Sequence, residues 1–159
     1  MINIFTQNSE IILRLVVAMV FGMIIGAERV LVHKEAGMKT HALVSIGAAL
    51  FIIISEFLAI KYSNMSGFNP AMIASNVIVG IGFLGAGSIV FQNSQIKGIT
   101  TAGGLWVTAG IGMAAGFGLF SLATIATILV LVIFVAMFLV EKPIRKISDR
   151  NFEKEKIEN

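Results

Sequence analysis

The sequence contains no cysteine. That excludes a disulfide-stapled scaffold, a thiolate zinc site, an iron–sulfur cluster and a cysteine nucleophile. Charge is scarce too: 13% of the 159 residues are charged, about half the share of an ordinary soluble domain. Mean hydropathy is +0.91. A chain this short buries only about two-thirds of its surface on folding, so in water it would expose large apolar patches. A soluble globular domain is excluded, and so is disorder, which needs low hydrophobicity and high charge. No acid occurs between Glu56 and Glu141, and no charge of either sign between Lys97 and Glu141. Residues 1–10 hold no Lys or Arg. The basic start of a cleavable signal is therefore missing, and the first apolar run is expected to stay as an anchor.

What is present is apolar sequence in bilayer-sized lengths. A spanning helix needs about 20 apolar residues, and five segments qualify: 10–27, 41–60, 71–91, 98–117 and 120–140. The last two come from one uncharged run of 43 residues, too long for a single span. Gly116-Phe117-Gly118 supplies the turn between them. Barrel strands alternate polar and apolar residues, and these runs do not. The expected fold is an all-α integral membrane protein with five transmembrane helices and glycine-rich helix packing. Residues 1–140 form its membrane domain and 141–159 a short charged cytoplasmic tail. In that tail Ile144, Ile147 and Phe152 fit a weak amphipathic helix after Pro143, although a solvated end fits the last residues better. No close internal repeat supports an inverted-repeat transporter.

The basic residues set an orientation. With the N-terminus out and the C-terminus in, ten of the twelve fall on the inner side, Lys61 lies outside and Arg14 lies within the first span. This positive-inside asymmetry, together with anionic lipid, accounts for the net charge of +3. Nucleic acid is not needed to explain it.

Ionisable groups inside a span are costly and are functional candidates by default. Arg14 and Glu56 each lie ~6 Å inside the outer end of their span, and Asn76 ~9 Å, at 1.5 Å per residue. Arg14, Ala18, Gly22 and Gly26 share one helix face, as do Ser45, Ala49, Ile52 and Glu56. Small residues mark faces where membrane helices meet. One reading pairs Arg14 with Glu56 inside the bundle, with Asn76 as a hydrogen-bonding neighbour. The other lets each charged group snorkel to the outer interface. The fifth segment is large and apolar from Ile128 to Val140 and reads as a peripheral, lipid-facing helix.

Gly80-Ile81-Gly82-Phe83-Leu84-Gly85 has the spacing G-x-G-x-x-G. It lies in an apolar span with no acid following, so close helix packing through Gly80, Gly82, Gly85 and Gly87 is the better reading than a dinucleotide site. Thr100 and Thr101 fit a helix cap better than hydroxyls offered to an ion or partner. Trp106 anchors at the inner interface or packs on glycine. The loop between the first two spans holds Glu28, Arg29, His33, Lys34, Glu35, Lys39, Thr40 and His41. His33, Glu35 and His41 have metal-ligand chemistry, but the basic residues among them oppose a divalent cation. An inner loop held by ion pairs is the simpler reading.

Taken together, several segments resemble the N-terminal membrane domain of the bacterial MgtC/SapB (YhiD-like) family. They are Gly26-Ala27-Glu28-Arg29, Lys34 to Val44, Gly80 to Gly87, Lys97 to Ala102, and Leu105-Trp106, in the family's order across most of residues 10–118. Asn69-Pro70-Ala71-Met72 stands where the family has an acid-Pro-x-Arg run, so both charges of that motif are missing. The resemblance implies a multi-pass inner-membrane protein linked to magnesium limitation and, in some members, to virulence. It implies a regulator acting on membrane machines such as cation-transporting ATPases and ATP synthase, or alternatively a direct transporter or channel for magnesium or another cation. It points to Glu28, Arg29, Lys39, Thr40, His41, Gly82, Gly85, Thr100, Thr101 and Trp106 as site residues. No cofactor is expected and the residues assign no metal. A homo-oligomer is possible, and by repeating Glu56 around an axis it would keep the transporter reading open. An enzyme is the least supported class, for lack of paired intramembrane acids or a nucleophile motif.

Overall fold

The computed structural model describes the backbone of residues 2–63, 69, 71–92 and 94–158, and the side chains of 8–63, 69, 71–92 and 94–140. Pro70 and the side chains of Ile144, Ile147 and Phe152 lie outside the described residues. Among the described residues there are five helices, α1 (Ile2–Leu31), α2 (Met38–Lys61), α3 (Ala71–Gly87), α4 (Ile99–Gly116) and α5 (Phe120–Glu158). A hairpin of two strands, β1 (Val90–Gln92) and β2 (Gln95–Lys97), separates α3 from α4.

The helix ends follow from local chemistry. At the end of α4, Gly118 takes φ 74. The Leu119 N–H donates to the Ala114 carbonyl at 2.8 Å and the Gly118 N–H to that of Ala115 at 2.9 Å. This is a Schellman stop, which requires a left-handed residue and so favours glycine. The α4–α5 turn takes its shape from it. α1 stops in the same way at His33, with φ 56, where the Lys34 N–H donates to the Arg29 carbonyl at 2.9 Å. α1 therefore runs through Glu28 and Arg29, and only six residues join Leu31 to Met38.

The third apolar segment does not stay helical to residue 91. The Ser88 hydroxyl donates to the Gly85 carbonyl at 2.7 Å, α3 ends at Gly87, and Val90 and Phe91 enter a strand. Ile89-Val90-Phe91 is β-branched and aromatic, which suits a strand. Ser94 has φ 61. The tail also differs from a separate element, because α5 passes Pro143 and continues to Glu158. Lys, Glu and Arg, which dominate that stretch, are good helix formers.

Among the described residues three helical stretches are long and apolar enough to cross a bilayer: Asn8–Leu31, Met38–Lys61 and Phe120–Val140. α3 has 17 residues, a length of ~26 Å. α4 is rich in glycine and threonine. It is the middle of the bundle, packed on α1, α2, α3 and α5. Ala18 and Ile25 of α1, Ala49 of α2, Ile111 and Ala115 of α4, and Ala123 and Val130 of α5 form the main core. A smaller cluster joins Ala48, Ile81 and Ala109. The helices approach closely where side chains are missing. A Cβ on Gly22 would lie 2.5 Å from the His41 carbonyl oxygen, and one on Gly116 would lie 2.8 Å from that of Ala49. A Cβ on Gly112 would overlap the Ser45 carbonyl outright.

Candidate functional site

Three polar features sit in or beside this apolar bundle. The first joins α1, α2 and the end of α4. Arg14 Nη1 donates to Glu56 Oε2 at 2.6 Å and to the Gly116 carbonyl at 2.9 Å. Its Nη2 donates to Glu10 Oε1, one turn earlier on α1, also at 2.6 Å. Arg14 is thus held by two carboxylates and a backbone oxygen, and its charge is matched where lipid could not match it. Asn76 is not part of this cluster, a correction to the three-residue grouping. α3 packs on α4 and more loosely on α2, and Asn76 is exposed on the α2–α3 groove, away from the pocket that Arg14 and Glu56 line.

The second feature is at the other end of α1. Glu28 and Arg29 are buried and paired with each other. The guanidinium carbon of Arg29 stands 3.5 Å from the centre of the Phe134 ring on α5. Nearby, His41 of α2 is fully buried. Its Nδ1 lies 3.0 Å from the Gly37 carbonyl oxygen. A carbonyl only accepts, so Nδ1 is the protonated nitrogen and Nε2 is left as an acceptor. Nε2 points toward Gly104, where an added Cβ would lie 3.6 Å from it. His41 Nε2 and Ser45 Oγ are buried without a hydrogen-bond partner. Glu28, Arg29 and His41 are therefore not loop residues held at a surface. Lys39 and Thr40, on the first turn of α2, are exposed. His33, Glu35 and His41 do not converge, and no cluster of metal-binding side chains occurs among the described residues.

The third feature is a groove of about 770 Å³ between α2 and α3. Its walls are apolar, with Lys39 and Thr40 at one end and Asn76 toward the other. The α3 glycines named from the sequence mostly face open space. A Cβ on Gly80, Gly82 or Gly87 would meet nothing within 4 Å, and one on Gly85 would make ordinary contact with Ala102 at 3.5 Å. Thr100 and Thr101 do not cap α4: its N-cap is Gly98, with no side-chain capping bond. Thr100 is exposed and Thr101 buried. Trp106 is 55% exposed on the outer surface of α4. Phe134 was missed because α5 read as wholly lipid-facing. Its signal was the row Ala123, Thr127, Val130 and Phe134, which returns to one helix face, with three of the four buried.

The sequence pattern of the MgtC family matches residues 15–142, from α1 through the apolar part of α5. The chain belongs to the MgtC family. Within it, the chain is similar to YhiD of Escherichia coli K12, whose name proposes it as a magnesium transporter. The two are 42% identical over 133 residues, which cover 80% of this chain and 62% of YhiD. It is also similar to MgtC of Salmonella typhimurium LT2, 44% identical over 120 residues, covering 76% of this chain and 49% of that protein. A protein of Haemophilus influenzae is 40% identical over 141 residues, covering 86% of this chain and 59% of its own length. The chain spans about half to three-fifths of the length of these MgtC-family relatives. No solved structure matches. The family match and the long apolar helices among the described residues mark the chain as a membrane protein.

Proposed function

We propose that this MgtC-family chain is a multi-pass protein of the bacterial inner membrane that serves magnesium homeostasis by docking onto other membrane proteins. In this reading all five helices cross the bilayer, with the N-terminus outside and the C-terminus in the cytoplasm. A cation-transporting ATPase or an ATP synthase is the kind of partner that family membership suggests. The carrying observation is the contact of Glu56 with Arg14 at 2.6 Å. Magnesium prefers several oxygen ligands, carboxylates among them. Here Glu56 is already engaged by a guanidinium, which repels a cation. The groove between α2 and α3 and the open glycine face of α3 supply a surface where another helix can approach closely.

Direct magnesium conduction is the second reading. It is favoured by the name of the Escherichia coli relative and would make Glu56 the ligand. Reconstitution of the folded chain in liposomes loaded with a magnesium-sensitive dye separates the two. Docking predicts no influx above that of protein-free liposomes. Docking also predicts that Gly80→Ile, which fills the groove, abolishes support of growth at low magnesium without reducing the amount of protein in the membrane. Influx that disappears in Glu56→Gln would overturn docking in favour of transport.

A further inference from the structure

The β1–β2 hairpin has two unlike faces. Its register sets Phe91 opposite Ile96, Val90 opposite Lys97 and Gln92 opposite Gln95. Opposed residues share a face, and successive residues alternate between faces. Phe91 and Ile96 therefore stand on one face, and Val90, Gln92, Gln95 and Lys97 on the other. The second face is mostly polar, and Lys97 Nζ donates to Gln92 Oε1 across it at 3.3 Å. Its four residues border a cavity of about 730 Å³ that the α1–α2 connection and the start of α4 close off. Ile96 also lines that cavity, but Phe91 does not. Phe91 is 73% exposed and Ile96 61%. A paired aromatic and aliphatic residue held bare on a sheet face marks a surface that something apolar covers.

Three observations say what covers it. The first is length. α3 has 17 residues, and at ~26 Å it is about 4 Å shorter than the hydrocarbon core of a bilayer. Only Ser88 and Ile89 separate its end from β1. The hairpin thus continues an apolar segment at the membrane boundary. The second is backbone chemistry. A sheet of two strands leaves unpaired N–H and C=O groups along both outer edges. Hydrocarbon cannot satisfy them, whereas headgroups and water can, so the backbone belongs at the interface and only side chains enter the lipid. The third is charge. Residues 88–98 contain no acid, and Lys97 is their one charged residue. Its sign is the one that the anionic cytoplasmic leaflet attracts. Apolar bulk on one face and an ammonium on the other is the pattern of segments that lie in the plane of a membrane surface.

We propose that the hairpin is an interfacial anchor, with Phe91 and Ile96 inserted between the acyl chains of the inner leaflet and Lys97 at the level of its anionic headgroups. The proposal rests on the five-span reading given above. The partner is the lipid surface itself. The anchor fixes the depth of both helices it joins, α3 with its open glycine face and α4 at the centre of the bundle.

The test uses the full chain in liposomes of phosphatidylcholine and phosphatidylglycerol. Trp106→Phe removes the only tryptophan, and a single tryptophan is then placed at one position at a time. Lipids brominated close to the headgroup or deep in the acyl chain quench it from the membrane, and acrylamide quenches it from water. Phe91→Trp is expected to lose about half its emission to the shallow bromines and to be about threefold less sensitive to acrylamide than Gln95→Trp on the opposite face. Ile96→Trp should behave as Phe91→Trp does, which keeps the test valid if one of the two fails to fold. Val79→Trp, in the middle of α3 and 72% exposed, should be quenched by the deep bromines. If it is not, the five-span reading fails and takes the anchor with it. If it is, and tryptophan at 91 and 96 is quenched by acrylamide alone, the anchor fails by itself. Shielding of both positions from lipid and water alike would mean that a second copy of the chain covers the face, and would also overturn the proposal.

Discussion

The contact of Arg29 with Glu28 and Phe134 makes a sharp prediction about stability. The Arg29 side chain is 4% exposed and that of Glu28 10%. Neither is screened by water, so the discount that applies to surface ion pairs does not apply here. Arg29→Met keeps the length and apolar stem of the side chain but leaves the Glu28 carboxylate buried without its partner. Breaking a buried pair in this way costs about 3–5 kcal/mol. Phe134→Leu keeps an apolar group in place and removes the aromatic face, which is worth about 2 kcal/mol to a desolvated guanidinium. In Glu28→Gln, Arg29→Met no charge is stranded, so the double change is expected to cost less than Arg29→Met alone. Trp106 is the only tryptophan. Its fluorescence during a titration from mild detergent into SDS reports unfolding of α4, which packs on both α1 and α5. The reasoning fails if Arg29→Met lies within about 1 kcal/mol of the unaltered chain, or if the double change is worse than the sum of its parts.

Three further outcomes follow from the geometry. Gly112→Ala places a methyl group against the Ser45 backbone and is expected to cost about 1–3 kcal/mol, while Gly80→Ala, facing open space, leaves stability unchanged or slightly raised in the same titration. Gly118→Ala forces an alanine into a left-handed conformation at the α4–α5 turn and is expected to cost about 1–2 kcal/mol; an unchanged midpoint would remove the turn from the account. Arg14→Gln and Glu56→Gln should each lower the yield of folded protein on gel filtration, and the double change should recover part of it. Equal yields throughout would mean that the contact is idle.

The five helices were legible because apolar runs and their interruptions set them directly. Gly116-Phe117-Gly118 marked its turn for the same local reason. The Arg14 and Glu56 faces could be read from spacing on their own helices. What failed were readings that depend on which helix stands opposite. Glu28, Arg29 and His41 looked like a solvated loop because their charges are adjacent in sequence. Their burial depends on Phe134, 105 residues beyond Arg29, and on Gly104, 63 residues beyond His41; the row that ends in Phe134 marks a packed face of α5 but does not say what packs on it. Asn76 had the right depth but the wrong neighbour, because depth does not give the order of helices around the bundle. The α3 glycines show the same limit. A row of small residues says that close approach is allowed, not that it occurs within one chain. The hairpin was hidden because β-branched apolar residues suit a bilayer span and a strand equally well.

The position of α4 has a consequence for how the protein is made. The helix that touches all the others is also a polar one for a membrane segment, and it lies outside the set of stretches apolar enough to cross unaided. Its successor, Phe120–Val140, has a mean hydropathy of 3.0, and the tight turn at Gly118 joins the two. In the five-span topology proposed above, α4 leaves the ribosome first, waits for α5 and enters the bilayer with it as one hairpin. A nascent chain halted near Gly118 is expected to keep α4 accessible to water-soluble thiol reagents at a cysteine placed in it, and extension through Val140 is expected to remove that access.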